Sequence, residues 1–239
     1  TCSVPPCDTA KQLKTDHPGL TISTVGFRTD GPASEQLSCI ASATGGIFVT
    51  ASNANQLAAR LLAAQNIAVA QQSLTPTGIN GIDIGANIGQ VRATHKDFPP
   101  SNGTGTVTIV WKDCDYVFTD GILVSITPHN GGRTIDGVTR GTPLSRVTDL
   151  YGEPLDVAAS GTVATLTYLA DQEKGTAYKF TVSGYGATAG EPTGKVSKIT
   201  LCRCLPHKAA TITVVDYRNF EQFDSTGRNS AGYVFKDPS

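Results

Sequence analysis

The sequence lacks methionine, an excess of charge of either sign and any long hydrophobic run. Only 16% of its 239 residues are charged and the formal net charge is −1, so it offers no basic footprint for nucleic acid. The most Ala- and Leu-rich stretch, residues 57–70, is interrupted by Arg60, Gln65 and Asn66, whereas a membrane helix needs roughly 18 or more apolar residues in succession. We therefore predict neither a nucleic-acid partner nor a membrane span.

A recognisable leader is also missing, and the cysteine content favours an oxidising compartment. Residue 1 is a threonine inside a loop rich in Cys and Pro, without the charged and apolar segments of a secretory signal. We expect the chain to begin inside a longer protein. Six cysteines among few charges and many Gly, Thr and Pro favour disulfides, so we predict a secreted, cell-surface or periplasmic protein.

The pairing of the cysteines is open at this point. All are disulfide candidates, three in the region up to residue 72 and three after it: Cys2, Cys7, Cys39, Cys114, Cys202 and Cys204. Because each region holds an odd number, either one bridge crosses between the regions or further sequence supplies partners. Cys2 and Cys7 could close a short loop, with Cys39 as a third claimant. Cys202 and Cys204 should share one face of a predicted strand, and Cys114 is the expected partner of one of them.

Helical and strand-like segments alternate in the first 72 residues. Residues 7–15 favour a short helix, and the β-branched run "LTISTVGF" at 20–27 predicts a buried strand. A helix after Ser34, a second strand "IFVTA" and a longer helix follow. On the longer helix, four apolar residues define the expected buried face: Leu57, Leu61, Ala64 and Ala68. This αβαβα order predicts a parallel sheet.

Five segments of this region occur in an order that resembles a known family. "TCSVPPC", "TISTVGF", "LSCIASATGG", "FVTASN" and "QLAARL" follow one another, which is similar to the C-terminal part of bacterial von Willebrand factor A domains. The resemblance implies that residues 1–72 finish an α/β domain whose metal-dependent adhesion loops would lie upstream of Thr1. It implies Mg²⁺ only for a complete domain, so we predict no metal ligand and no cofactor in this chain. The "TDG" at Thr29–Gly31 is interpreted as a turn.

A short motif occurs twice in the remaining sequence, after residues 73–80, which we assign to a linker. Gly, three residues, Gly, five residues and Val recur from Gly81 and from Gly137. Each copy predicts a short amphipathic helix followed by strand-like segments. The expected apolar faces are Ile84, Ile88 and Val91 in one copy and Leu144, Val147 and Leu150 in the other.

These copies predict an α+β domain over residues 81–206, built of two helix-then-antiparallel-sheet repeats at about 81–130 and 137–204. A C-terminal tail covers residues 207–239. The motif "G...G.....V...YG.P" is similar to the helical opening of the tandem repeats in β-lactamase inhibitory protein-like folds. That resemblance implies a sheet surface that contacts another protein.

Catalytic motifs are not evident. The sequence has no Gly-x-Ser-x-Gly elbow, and four histidines without a pattern linking them to Ser or Asp are expected in loops or at element ends: His17, His95, His129 and His207. Asp113 and Asp115 flank Cys114 and are expected to face solvent rather than form an acid/base pair. Trp111, Tyr116 and Phe118 are expected to pack in the core. We predict no catalytic residue and no enzyme.

The sequence therefore favours a non-catalytic, extracytoplasmic binding or adhesion-type protein that recognises a protein or peptide partner. One alternative is an enzyme inhibitor or sensor that uses the repeat-domain sheet, which an exposed aromatic row on that sheet would favour. A polar sheet face would favour a structural spacer. Another alternative is a cell-envelope hydrolase, which a buried carboxylate pair in a cleft would favour. The ligand and the oligomeric state stay open.

Overall fold

The structure, a computed structural model, describes residues 5–29, 31–101, 105–188 and 191–205. The predicted tail over 207–239 and Cys2 lie outside the described residues. The first elements are α1 (Pro6–Asp16), β1 (Thr24–Phe27), α2 (Gly31–Thr44), β2 (Phe48–Ala51), α3 (Ala54–Ala64) and α4 (Ile67–Gln71). Next come β3 (Gly78–Ile79), β4 (Ile82–Asp83), α5 (Ile88–Thr94), β5 (Thr106–Trp111), β6 (Cys114–Thr119) and β7 (Ile122–Pro128). The last are α6 (Leu144–Tyr151), β8 (Asp156–Ser160), β9 (Val163–Asp171), β10 (Thr176–Thr188) and β11 (Glu191–Cys202).

Strands β1 and β2 form a two-stranded parallel sheet, with Thr24 opposite Phe48 and Phe27 opposite Ala51. Their parallel pairing confirms the predicted direction of these two strands, although β1 is shorter than the expected run over 20–27. Within the described ranges the pair has no third strand, so a wider parallel sheet of the von Willebrand A type is not seen.

The predicted helix after residue 53 is confirmed, but its buried face differs from the expected one. It breaks at residues 65–66 into α3 and α4. The buried side chains of α3 are Gln56 and Arg60, whereas Leu61 is 50% exposed. The prediction of the buried face was wrong because α3 packs against the rest of the chain through polar side chains instead of its leucines. That face comprised Leu57, Leu61, Ala64 and Ala68.

Amide side chains near the start of α3 cap the C-terminal end of α6. Asn53 Nδ2 and Gln56 Nε2 both donate to the carbonyl oxygen of Leu150, at 2.9 and 3.0 Å. Asn55 Nδ2 donates to the carbonyl oxygen of Asp149 at 2.8 Å. The last carbonyl groups of a helix have no partner inside that helix, so α3 supplies the partners that α6 lacks.

A buried ion pair joins α3 to the segment before α6. Arg60 Nε lies 2.7 Å from Asp136 Oδ1, and Arg60 Nη2 lies 2.9 Å from Asp136 Oδ2. The two side chains are 3% and 0% exposed. The Tyr151 hydroxyl donates to Asp136 Oδ2 at 2.9 Å. The carboxylate is therefore neutralised and hydrogen-bonded on both oxygens, as a buried charge requires.

Residues 73–80, assigned above to a linker, are hydrogen-bonded to β10. Leu74 is fully buried, and the Tyr178 hydroxyl donates to its carbonyl oxygen at 3.1 Å. Thr176 Oγ1 donates to the carbonyl oxygen of Pro76 at 2.6 Å. The division of the chain at residue 72 stays a prediction, although the bonds of α3 and its cap to residues 136–150 cross it.

Seven strands form one antiparallel sheet in the order β5-β6-β7-β11-β10-β9-β8. Strands β5 to β7 follow α5 and strands β8 to β11 follow α6, so the predicted order of a helix and then antiparallel strands occurs twice. The two sets meet where β7 pairs with β11, with Ile126 opposite Leu201 and Ser125 opposite Cys202. The protein is thus mixed α and β, dominated by a large antiparallel sheet.

One face of this sheet carries the hydrophobic core. The largest fully buried side chains on it are aromatic: Tyr116, Phe118, Tyr168, Tyr178 and Phe180. They share one core cluster with the apolar residues of the helices, namely Val91 of α5 and Leu144, Val147 and Leu150 of α6. Trp111 is 7% exposed, and its Nε1 donates to Asp97 Oδ2 at 3.1 Å. The predicted packing of the aromatic residues and the predicted inner face of α6 are confirmed.

The predicted face of the first helix is confirmed only in part. Val91 is buried and Ile88 is partly buried against the same core. Ile84 is also buried there, but it precedes α5 instead of lying on it. In the part of the chain that the structure describes, no helix has both the length and the apolar character needed to cross a membrane.

Candidate functional site

The face of the seven-stranded sheet opposite the core, which we call the open face, carries mostly polar side chains, although Val110, Val163 and Leu169 are also exposed on it. Strand register places one row of side chains across all seven strands: Val110, Asp115, Thr127, Thr200, Lys179, Thr167 and Asp156. The hydroxyls of Thr127 and Thr200 lie 2.9 Å apart where the two sets of strands meet. On adjacent rows Thr165, Thr181 and Lys198 continue the polar character.

The described aromatic residues of the seven-stranded sheet pack toward the core and away from the open face. Trp111, Tyr116, Phe118, Tyr168, Tyr178, Phe180 and Tyr185 belong to, or pack against, the core cluster. The exposed aromatic row that would favour an inhibitor or sensor is therefore not found along the described strands. A polar sheet face is the feature that favours a structural spacer over an inhibitor.

A cleft of about 430 Å³ opens on this face where β7 ends beside β11. Five ionisable side chains line it: Asp113, Asp115, His129, Arg140 and Lys198. Asp113 lies in the β5–β6 turn and Asp115 in β6. His129 directly follows β7, Arg140 lies in the segment before α6, and Lys198 lies on β11. Antiparallel pairing brings them together, since Asp115 lies opposite Thr127 and His129 is two residues further on.

His129 is held between two carboxylates of this cleft. Its Nδ1 lies 3.1 Å from Asp113 Oδ1, and its Nε2 lies 2.9 Å from Asp115 Oδ1. Ionised carboxylates only accept hydrogen bonds, so the doubly protonated, cationic ring is the form that satisfies both contacts. The hydrogen bond to Asp115, assisted by Asp113, raises the pKa of His129. The sequence has no pattern that links His129 to an aspartate, and strand pairing brings these side chains together.

Two cations of the cleft have no carboxylate partner within the described residues. Arg140 donates from Nη1 to the side-chain oxygen of Asn130, which is uncharged. Lys198 is exposed on β11 opposite Thr181. The two acids of the cleft are both engaged by His129. Arg140 and Lys198 are thus free to meet an anionic group from outside.

Asp113 and Asp115 are 72% and 37% exposed, as expected of residues that face solvent. The buried acid among the described residues is Asp136, which Arg60 neutralises. A buried carboxylate pair in a cleft, the feature that would favour a hydrolase, is not present in these ranges.

The other described histidines lie at helix ends. His17 is the C-terminal cap of α1, and His95 is that of α5, with its ring 5.0 Å from the ring of Trp111. His207 lies outside the described residues. In the ranges that the structure describes, no group of His, Cys, Asp and Glu is arranged to hold a metal ion.

The cysteines pair differently from what the sequence favoured. Cys7 is bonded to Cys39, which joins α1 to α2, and Cys202 is bonded to Cys204. Cys114 is a buried free thiol. The prediction that Cys114 bonds to Cys202 or Cys204 was wrong, because Cys114 points from β6 into the core. Cys202 lies opposite Ser125, on the other face of the sheet.

A larger groove of about 1430 Å³ has Ser34, Ser38 and Ser42 of α2 along one wall and the β9–β10 turn along another. Its serine hydroxyls bond locally, as Ser42 does to the carbonyl oxygen of Ser38. Its arginines are also engaged, Arg28 with the carbonyl oxygen of Ser52 and Arg60 with Asp136. The cleft of the open face has more charged lining groups for its volume than this groove has.

No family model matches this chain, and no curated protein matches it. Among solved structures it is similar to the uncharacterized protein yfeY from Escherichia coli, with 19% identity, covering 54% of this chain and 99% of that one at a TM-score of 0.35. It is also similar to YjgB, a DUF4309 family protein from Bacillus subtilis, with 13% identity, 61% and 98% coverage and a TM-score of 0.33. A cysteine-rich secretory protein from Staphylococcus aureus matches with 9% identity, 56% and 48% coverage and a TM-score of 0.30. At these TM-scores the similarities carry no inference about this chain.

Proposed function

We propose that this chain is a non-catalytic, extracytoplasmic binding protein that recognises a protein or peptide partner through the open face of its seven-stranded sheet. The carrying observation is the charged cleft of that face, where Arg140 and Lys198 have no described carboxylate partner, since a polar face without such a cleft would favour a structural spacer. Antiparallel sheets commonly pack one face on a core and expose the other. A cleft with unpaired charges on the exposed face adds the specific groups that recognition requires.

The proposal places the protein outside the cytoplasm because of its disulfides. The Cys7–Cys39 and Cys202–Cys204 bonds support an oxidising compartment. Secreted, cell-surface and periplasmic locations are all compatible with that chemistry.

We also keep the proposal that residues 1–72 form the end of a von Willebrand A-like domain and that residues 81–206 form two β-lactamase inhibitory protein-like repeats. The parallel pairing of β1 with β2 supports the first part. Exposed apolar side chains support it too, since Phe27, Leu61 and Leu62 are 44%, 50% and 67% exposed and offer a surface for further elements. An adhesion or assembly role with Mg²⁺ would belong to a complete domain of that type.

Site-specific photo-crosslinking in the full chain tests the proposed function. A photoreactive residue would replace Thr181 on the open face, and in a matched control it would replace Lys174, which is exposed in the β9–β10 turn. We expect the Thr181 position to crosslink a protein from an envelope extract, with competition by excess unmodified chain and no dependence on Mg²⁺. Equal crosslinking at both positions, or none at Thr181, would contradict the proposal.

A further inference from the structure

The cleft on the open face has an excess of positive charge on the side that a partner can reach. Asp113 and Asp115 are offset in part by His129 when its ring, which lies between them, is protonated. Arg140 and Lys198 then stand without a carboxylate in the described part of the chain. With the histidine protonated, cations outnumber anions among the lining groups by one.

The surrounding strands extend this excess along the open face. Lys179 and Lys195 lie on β10 and β11, on the same face as Lys198, and no ion pair with a described residue holds either of them. Lys179 is flanked by Thr167 and Thr200, which are neutral. The chain as a whole carries a formal charge of −1, so this local positive region is not the result of a basic composition.

We infer that the cleft binds a carboxylate side chain of an acidic protein segment, with Arg140 and Lys198 as the groups that recognise it. The inference rests on the proposed function and names the chemical class of the partner. An arginine fork suits the two oxygens of a carboxylate, and Lys198, which lines the same cleft, supplies a second cation. Hydroxyls of Thr127 and Ser197 line the same cleft, but both are engaged within the sheet, with Thr200 and with the carbonyl oxygen of Thr181, so the two cations are the groups left for a ligand.

The placement of the acids favours a segment with separated carboxylates over a continuous polyanion. Asp113 and Asp115 remain at one side of the cleft, and Asp156 ends the row of side chains on β8. A nucleic acid carries a phosphate at every step along its strand, so its neighbouring charges would approach these carboxylates. A peptide can place glutamate near Arg140 and neutral residues near the acids.

Fluorescence anisotropy with the full chain tests this inference. The probe is a short labelled peptide that alternates Glu and Ser, and the matched probe has Gln in place of Glu. We expect binding of the Glu peptide alone, with affinity that falls as salt is added. Arg140→Glu or Lys198→Glu should weaken binding by about tenfold, whereas Lys174→Glu in the β9–β10 turn should change it by less than about twofold.

Three results would overturn the inference. They are equal binding of the Gln peptide, tighter binding of an oligonucleotide with the same number of charges, and unchanged affinity in both Arg140→Glu and Lys198→Glu. Both residues are exposed, and an unchanged unfolding midpoint verifies that each variant is folded. If Thr181 crosslinks a partner but the Glu peptide does not bind, this inference fails while the proposed function stands.

Discussion

Replacing Arg60 with methionine should strongly destabilise the protein. The guanidinium makes two hydrogen bonds of 2.7 and 2.9 Å to Asp136, and the side chains are 3% and 0% exposed. The variant leaves the Asp136 carboxylate buried, and among the described residues only the Tyr151 hydroxyl remains as a hydrogen-bond partner of its side chain. Removing one member of a buried ion pair costs about 3–5 kcal/mol, because the remaining charge is uncompensated.

Thermal unfolding followed by circular dichroism measures this effect. For a chain of this size each kcal/mol shifts the midpoint by about 2–4 °C, so Arg60→Met should lower it by about 6–20 °C. Lys11→Met is the matched control, because Lys11 pairs with Asp8 at the surface, with side chains 60% and 56% exposed. A surface pair of this kind contributes about 0–1 kcal/mol.

A loss of less than about 1 kcal/mol in Arg60→Met would refute the reasoning, since it would show that Asp136 is solvated or neutral in the folded protein. A double variant, Arg60→Met with Asp136→Leu, sharpens the test. Removing both charges also removes the uncompensated ion, so the double variant should be more stable than Arg60→Met alone. Strict additivity of two large losses would contradict a direct interaction between these side chains.

Three further predictions concern single residues. The pKa of His129 is raised in the folded chain, so its ion pairing stabilises the fold. This stabilisation is complete below the unfolded pKa of about 6.5 and is lost as pH rises through the folded pKa. The difference in unfolding free energy between wild type and His129→Gln, from urea unfolding at several pH values, should therefore shrink with rising pH, and a constant difference would contradict this. Burial, with the charge of Asp113, raises the pKa of the Cys114 thiol to about 11. Iodoacetamide should therefore label this thiol only in denaturant, as detected by mass spectrometric peptide mapping. Rapid labelling of the native protein would oppose the prediction. Gly78→Ala would place a Cβ 2.0 Å from the carbonyl oxygen of Ile82 and should cost about 1–3 kcal/mol in urea unfolding, whereas Gly131→Ala meets nothing and should cost little; equal losses would argue against the close approach.

Periodicity predicted the elements whose apolar face meets the core. The positions of Leu144, Val147 and Leu150 are consistent with one helical face, and all three are buried on the inner face of α6. The β-branched and aromatic segments after each helix became antiparallel strands. Such patterns are readable because burial of apolar surface is the largest favourable contribution to folding.

Where polar groups determine the packing, the same reasoning failed. The leucines of α3 satisfy the spacing of a buried face, yet Gln56 and Arg60 are the residues that are buried. The partners that make this favourable, Leu150 and Asp136, are more than 70 residues away in sequence, so local periodicity carries no information about them. The link between His129 and Asp115 was missed for a related reason, because it depends on the register of β6 with β7.

Burial decides which of the two charged clusters can act on a partner. Arg60 and Asp136 have better hydrogen-bond geometry than the groups of the cleft, but they are enclosed between α3 and the segment before α6, and their charges already cancel. Arg140 and Lys198 are exposed, and no described carboxylate meets either of them. An exposed cation contributes little to the free energy of folding. It contributes to binding when a partner excludes water and supplies the opposite charge. The buried pair therefore serves the stability of the fold, and the cleft is the place where recognition is to be tested.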